Sequence, residues 1–521
     1  MEYFAKPVLG RNQRVLIPTT LDDAIPPDHS VRILWEILGS LSWSSWKSEY
    51  CGRLGQPPIH PRTTASVLLY GLTRRIRSTR LLEDMTRYNI DFMWLTEGRT
   101  IDHSTLSKFR TRFKEQLRDL FRQLGGIAMA MGIVRLNDVT FDGTRVKANN
   151  DRYETWTQAD VEKQLKELDD QFGEWCEESE RNDVLTTDEP LPAELSDAKA
   201  RQELLKRALE KLQAADAGRR SEGVDPAKNP AQLPSTDIDS KVLPNKEGGY
   251  APNYTPLAAV DVHSEFIVYA DVMQDTAENV WTLAMVDQVN EDFGQQPQAV
   301  LADGLHATGP NIVGMEQRDV EFLSPLSNEK PTANPAVRDD PTEAIAESHW
   351  PELPISPHTK KLDKSCFVFH AESDRYYCPM GHPLEFEKTK PDTRQHQKVI
   401  LRVYRCHSCT GCPLASRCIS EKSQGGRTIT RDHFTPDRER HAAKMASAES
   451  QSRYQRRFHA GETPFGWLKH VLGLRQFLLR GLEKVKTEWL WSCTAYNMMK
   501  LIKVVGRLRA MVSSESSAVA V

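Results

Sequence analysis

The chain has 521 residues, with 68 Lys+Arg against 72 Asp+Glu and a formal net charge of −4. That length exceeds one ordinary domain and suggests about two to four. No run of eighteen apolar residues is present and the first thirty residues lack a signal pattern. The expectation is therefore a protein without a membrane span, cytoplasmic and reducing in setting, whose nine cysteines are thiols or metal ligands rather than disulfides.

The charge is strongly segregated. Residues 53–118 hold 13 Lys/Arg against 6 Asp/Glu, 151–220 hold 11 against 19, and 431–510 hold 16 against 7. Basic ends around an acidic middle suit a protein that meets DNA with two of its parts, although two solvated helical faces would give the same totals.

Residues 1–130 read as a helical, DNA-contacting module. Val67, Leu68, Leu72 and Ile76 recur at helical spacing, as do Leu81, Leu82 and Met85. Asp102 precedes a long pattern of Leu106, Phe109, Phe113, Leu117 and Phe121, with Arg and Lys on the opposite face. Residues 131–154 contain a strand, VTFDGTRVKAN (139–149), in which Asp142 closes an apolar run. In 155–220, Val161, Leu165, Leu168, Phe172 and Trp175, then Leu205, Leu209 and Leu212, predict an acidic helical hairpin, with Pro190 and Pro192 between its arms. Residues 221–256, rich in Pro, Asn, Gly and Ser, read as an extended linker.

Strands are predicted at 257–262 and 266–273, joined by His263-Ser264-Glu265. A helix near 277–290 follows, then AVLADG (299–304), a strand ending at Asp303. Residues 257–325 thus form a second α/β part. Residues 326–430 are Pro-rich, then Cys-rich. Residues 431–510 read as helical and carry YQRRFHAGETPFGWLKH (454–470), and 511–521 as a disordered tail. Gly461 and Pro464 predict a helix start near Glu462, which would put Glu462 and Lys469, seven apart, on one face.

Two aspartates at strand ends and a glutamate on a basic helix could hold two divalent cations about 3.5–4 Å apart, activating a nucleophile and stabilising the departing oxygen of a phosphodiester. Each aspartate alone is equally explained as a turn entry, and Glu462 as a surface ion pair with Arg456, Arg457 or Lys469.

Together the three segments resemble the carboxylate motifs of DDE transposases of bacterial insertion sequences. They are most similar to the group with a signature of Tyr, two residues, Arg, a short gap, Glu, six residues, Lys. Here that is Tyr454, Arg457, Glu462 and Lys469; the Arg–Glu gap is four rather than the commoner three, so Arg456 stays open as the alternative. IDHSTLSKFR (101–110) and the segment after Lys469 share the likeness, which covers roughly residues 15–510. One departure stands at the second motif. Where the family has Asp, any residue, Gly, Tyr, this chain has Asp303, Gly304, Leu305 and His306.

The resemblance implies an α/β fold: an RNase H-like mixed-sheet core carrying Asp142, Asp303 and Glu462 as catalytic Mg²⁺ (or Mn²⁺) ligands, an all-α N-terminal module, and inserted helical-hairpin and Cys-rich segments. It implies double-stranded DNA as partner, namely the terminal inverted repeats and a target. It also implies a homodimer on DNA, nucleoid association, and Tyr454, Arg456, Arg457 and Lys469 as DNA contacts. The alternative is a cleavage-only or non-catalytic DNA-binding descendant.

YYCPMGHPL (376–384) and YRCHSCTGCPLASRC (404–418) offer Cys378, His382, Cys406, Cys409, Cys412 and Cys418 as Zn²⁺ ligands. The preferred set is Cys378, Cys409, Cys412 and Cys418, which resembles the Cys-rich insertion of a transposase subgroup; packed reduced thiols are the alternative. Residues 384–401 would return the chain as a hairpin with Pro391-Asp392 at its tip. Cys51, Cys176 and Cys493 read as packing residues.

Overall fold

The computed structural model describes residues 20–50, 57–151, 153–184, 194–221, 223–245, 248–326, 334–394, 397–420 and 425–519. Pro190, Pro192 and Cys51, and the side chains of Trp175 and Cys176, lie outside what is described. The architecture is mixed α/β, in two compact units. One unit takes Met1–Glu278, Ala284–Pro297 and Arg457–Val521; the other takes Asn279–Leu283 and Gln298–Arg456.

The first unit opens with α1 (Ser30–Gly39), α2 (Ser44–Ser48), α3 (Pro61–Thr73), α4 (Thr79–Tyr88), α5 (Ile90–Leu95), α6 (His103–Arg112) and α7 (Lys114–Ala130). Side-chain caps set the starts: Ser78 accepts from Leu81 N, and Asp102 accepts from Thr105 N. The long pattern after Asp102 divides at Phe113, whose backbone leaves the helical region. Even so, Phe109 and Phe113 pack on the fully buried Trp46 at ring separations of 5.2 and 5.3 Å.

Next come β1 (Asp138–Gly143), β2 (Val146–Lys147) and β3 (Thr155–Trp156), followed by α8 (Gln158–Val184) and α9 (Glu194–Ser221). These two helices form the expected hairpin, closed by Val161, Leu168, Leu205 and Leu212. The segment read as a linker differs from that expectation. It carries β4 (Leu233–Pro234), β5 (Lys241–Pro244) and the start of β6 (Tyr250–Asp261), and Asn253 and Tyr254 are buried. β6 is the spine of this sheet: β2 and β5 pair along its first half, β1 and β7 (Ile267–Met273) along its second, all antiparallel.

α10 (Thr282–Phe293) leads to the second unit's β8 (Ala299–Leu301), α11 (Gly309–Gln317) and β9 (Glu321–Leu323), with β8 and β9 parallel. An antiparallel sheet follows, in the order β10 (Val368–His370), β11 (Arg375–Tyr377), β12 (Pro383–Arg394), β13 (Gln397–Cys406) and β14 (Thr428–Arg431); α12 (Ala415–Cys418) lies between the last two. The expected hairpin exists, but Pro391 and Asp392 are not its tip. They pair with Ile400 and Val399 inside the ladder, so the chain turns beyond Arg394.

The chain continues through α13 (Thr435–Met445), α14 (Ala448–Gly466) and α15 (Leu482–Val519). α15 extends past residue 510, where a disordered tail was expected. In the first unit it is fastened to the sheet: Trp489 Nε1 donates to Leu257 O at 3.0 Å, and the Asn497 amide takes both backbone groups of Ile267. α14 starts at Ala448, well before Glu462, because Ser447 caps it through Ser450 N. Pro464 therefore sits inside the helix and removes a backbone donor. The helix continues because Ala460, Phe465 and Leu468 are buried in the core. A π-helical turn, Trp467–Val471, follows immediately.

Candidate catalytic site and cysteine cluster

Val139 and Phe141 anchor β1 in the core, and the register Asp142↔Ala258 brings the Asp142 carboxylate to the end of a central strand. One oxygen accepts from Gly143 N at 2.8 Å; the other meets Arg457 Nη2 of α14 at 3.4 Å. α14 lies against β1 here: a Cβ on Gly461 would stand 3.4 Å from Thr140 Oγ1, at van der Waals contact. Glu462 is the next residue and is exposed. Strand and helix thus bring the Asp142 and Glu462 segments together. Arg457 is the arginine turned to Asp142, with its side chain only 11% exposed, whereas Arg456 is exposed.

One neighbour had no sequence signal. The Glu278 carboxylate approaches Gly143 so closely that a Cβ would lie 2.4 Å from its oxygen, and Arg145 Nη1 holds it at 3.1 Å. Glu278 stands after β7 outside any of the three motifs, while Arg145 stands three residues beyond Asp142. The donors here are carboxylates, the chemistry Mg²⁺ takes, and Thr140 Oγ1 beside them is buried without a hydrogen-bond partner. Among the described residues, however, no three His, Cys, Asp or Glu side chains are grouped as a metal ion requires; Asp142 is held by Arg457 instead.

Asp303 belongs to the second unit, just past β8. Its carboxylate accepts from Leu305 N at 2.9 Å, and its carbonyl accepts from Ser324 Oγ at 2.6 Å. His306, at the position that departs from the family pattern, is buried with Nε2 3.8 Å from Asp303 and Nδ1 2.8 Å from Thr282 Oγ1. The unusual loop is therefore internally braced. A cavity of about 520 Å³ opens beside it, lined in part by Gly304, Lys364, Asp432, Phe434 and Arg438. Tyr454 is half-buried on α14, and Lys469 lies in the π turn rather than on a continuous α-helical face with Glu462.

In the second unit Cys378, Cys406, Cys409, Cys412 and Cys418 line one small cavity, together with His382. The pairing Leu384↔Cys406 brings Cys406 beside Cys378, which the preferred set had left out. A hydrogen bond from Cys406 lowers the Cys378 thiol and raises Cys406; burial lifts Cys418 to about 12. Arg427 N donates to Cys409 Sγ at 3.4 Å. Thiols are the donors zinc prefers, so the chemistry fits, although the sulfurs are not drawn in as a closed metal site. Cys366 stands apart, donating to Pro354 O, and Cys493 is fully buried packing.

Two models of known families match parts of the chain. Residues 19–112 match a transposase domain (DUF772), and residues 377–502 match a transposase DDE domain. The second match takes in the cysteine cluster, Glu462 and Lys469; Asp142 and Asp303 lie outside it. No curated protein matches the chain. Two transposase matches, one towards each end, make this chain similar to DDE-type transposases of the insertion-sequence kind.

Proposed function

We propose that the chain cleaves DNA at the terminal inverted repeats of an insertion sequence and joins the freed ends to a target. Asp142, Asp303 and Glu462 are the Mg²⁺ (or Mn²⁺) ligands of an RNase H-like core. The observation that carries this reading is the seating of Gly461 on Thr140, which sets the Glu462 helix against the Asp142 strand. When bound, the cations would activate the attacking oxygen and stabilise the leaving one. Arg457 neutralises Asp142 and would share that carboxylate with a bound cation. His306 and Thr282 brace the loop that presents Asp303. Tyr454, Arg456 and Lys469 grip phosphates of double-stranded DNA, on which two chains assemble. Zinc held by four of the five clustered thiols would staple the β11–β13 segment and serve its folding rather than the chemistry.

The test is a supercoiled plasmid carrying the element's ends. Mg²⁺-dependent cleavage and joined product are expected from the parent protein. Asp142→Asn should remove both while leaving DNA binding near normal. Cleavage without joining would favour a nuclease, and binding alone a non-catalytic descendant.

A further inference from the structure

A second basic feature of the first unit lies beyond the carboxylates and beyond the motif arginines. Arg145, Lys147, Lys469, His470 and Arg475 converge on one cavity of about 260 Å³, whose remaining lining is Asn245 and Asn253. Among the described residues, no carboxylate lines it. The residues come from separate stretches of chain: the exit of β1, β2, the π turn and the loop that follows.

The cavity is built rather than incidental. Lys147 N donates to Arg475 O at 3.1 Å and Phe477 N donates to Lys147 O at 2.9 Å, so β2 and the 475–477 loop are stitched together. Gly473, at φ +76°, allows the chain to reverse out of the π turn into that loop. Arg77 then holds the loop from behind through Gly473 O and Gln476 O. Arg145 is fixed by Thr255 and Glu278, and Arg475 donates to His470 Nδ1 at 2.8 Å, which leaves the Nε2 edge of that ring as a donor. A merely solvated basic face would scatter its cations; here their backbones are tied together before any ligand arrives.

We propose that this cavity binds a backbone phosphate of the DNA strand that runs past Asp142, with Lys147 and Arg475 as its main cations. The proposal rests on the transposase reading above and adds residues outside the carboxylate and Tyr–Arg–Glu–Lys motifs. Arg145 links the two places, since it lines the cavity and also holds Glu278 beside Gly143. A phosphate seated there would fix the strand's register relative to the β1 carboxylate without reading its bases.

The experiment measures binding of a fluorescent terminal-repeat duplex across a salt series, for the full-length parent, Lys147→Gln, Arg475→Gln, and Arg220→Gln on the distant α9 as control. The expected result is a salt slope lower by about one for each cavity variant, unchanged for the control, with melting temperatures preserved. A parent that binds DNA and cavity variants with the parental slope would overturn the cavity proposal while leaving the transposase reading standing. A parent that does not bind DNA at all would overturn both. A thermal shift from inorganic phosphate that both variants lose, with the DNA slope unchanged, would assign the cavity to a small free anion and overturn the DNA proposal.

Discussion

Glu488 ties the helical module to the phosphate-facing loop, and Glu488→Ala should loosen both. Its carboxylate, on α15, accepts from Arg77 Nη2 at 2.9 Å, from Leu478 N at 3.1 and 3.0 Å, and from Leu479 N at 2.9 Å. The side chains of Arg77 and Glu488 are 15% and 6% exposed, so water cannot replace the lost partner easily. Removing one member of such a buried pair costs about 3–5 kcal/mol, because the guanidinium remains buried and uncompensated. The two orphaned amides already fall within that range. At about 1–2 °C per kcal/mol for a unit of this size, the melting temperature should fall by roughly 3–10 °C. Replacing the pair together, Arg77→Met with Glu488→Leu, should cost less than Glu488→Ala, because the Arg77 charge is then not stranded. Calorimetry on the three proteins measures this. A Glu488→Ala protein melting within about 1 °C of the parent would refute the clamp, since a surface pair is worth that little.

Burial raises the Asp237 carboxyl above its usual value despite hydrogen bonds from Tyr254 and Gly481 N, and its Oδ2 is buried without a partner. A carboxyl raised on folding contributes stability that is full below the unfolded value of about 3.9 and is lost as pH rises through the folded value. Asp237→Asn should therefore melt higher relative to the parent at about pH 7.5 than at about pH 4; a difference that shrinks or reverses with rising pH would contradict this. Asp102 is the opposite case: hydrogen bonds from Ser104 and Thr105 lower it, so its contribution is present above about 3.9 and lost as pH falls through the folded value. Asp102→Ala should cost about 1 kcal/mol at neutral pH, and denaturant melts showing no loss would remove the cap from the account. For the cysteine cluster, metal analysis should find about one zinc per chain, lost when Cys406 and Cys409 are both Ser. Zinc retained by that variant would mean another ligand set.

The helical module, the α8–α9 hairpin and β1 were legible because their apolar residues recur at a single period. The start of β6 was not: Pro252, Asn253 and Pro256 read as loop residues, yet they pair with β5 and β7, and Asn253 satisfies itself internally by donating to Leu243 O and Ala251 O. Pro464 misled in the same way, since local helix preference is weaker than the burial of Phe465 and Leu468. At the site, Asp142 follows from the strand end, whereas spacing left Arg456 and Arg457 both open and only the structure turns Arg457 to Asp142. Glu278, and the place of Cys406 beside Cys378 among the candidate thiols, follow only from three-dimensional pairing, which spacing along the chain does not encode.

The most direct measurement is cleavage of a plasmid bearing the element's own ends, by the parent and by Asp142→Asn, with and without Mg²⁺. The account predicts cut and joined DNA from the parent only when Mg²⁺ is supplied, and none from the variant although it still binds the ends. Cleavage by Asp142→Asn at the parental rate would contradict it.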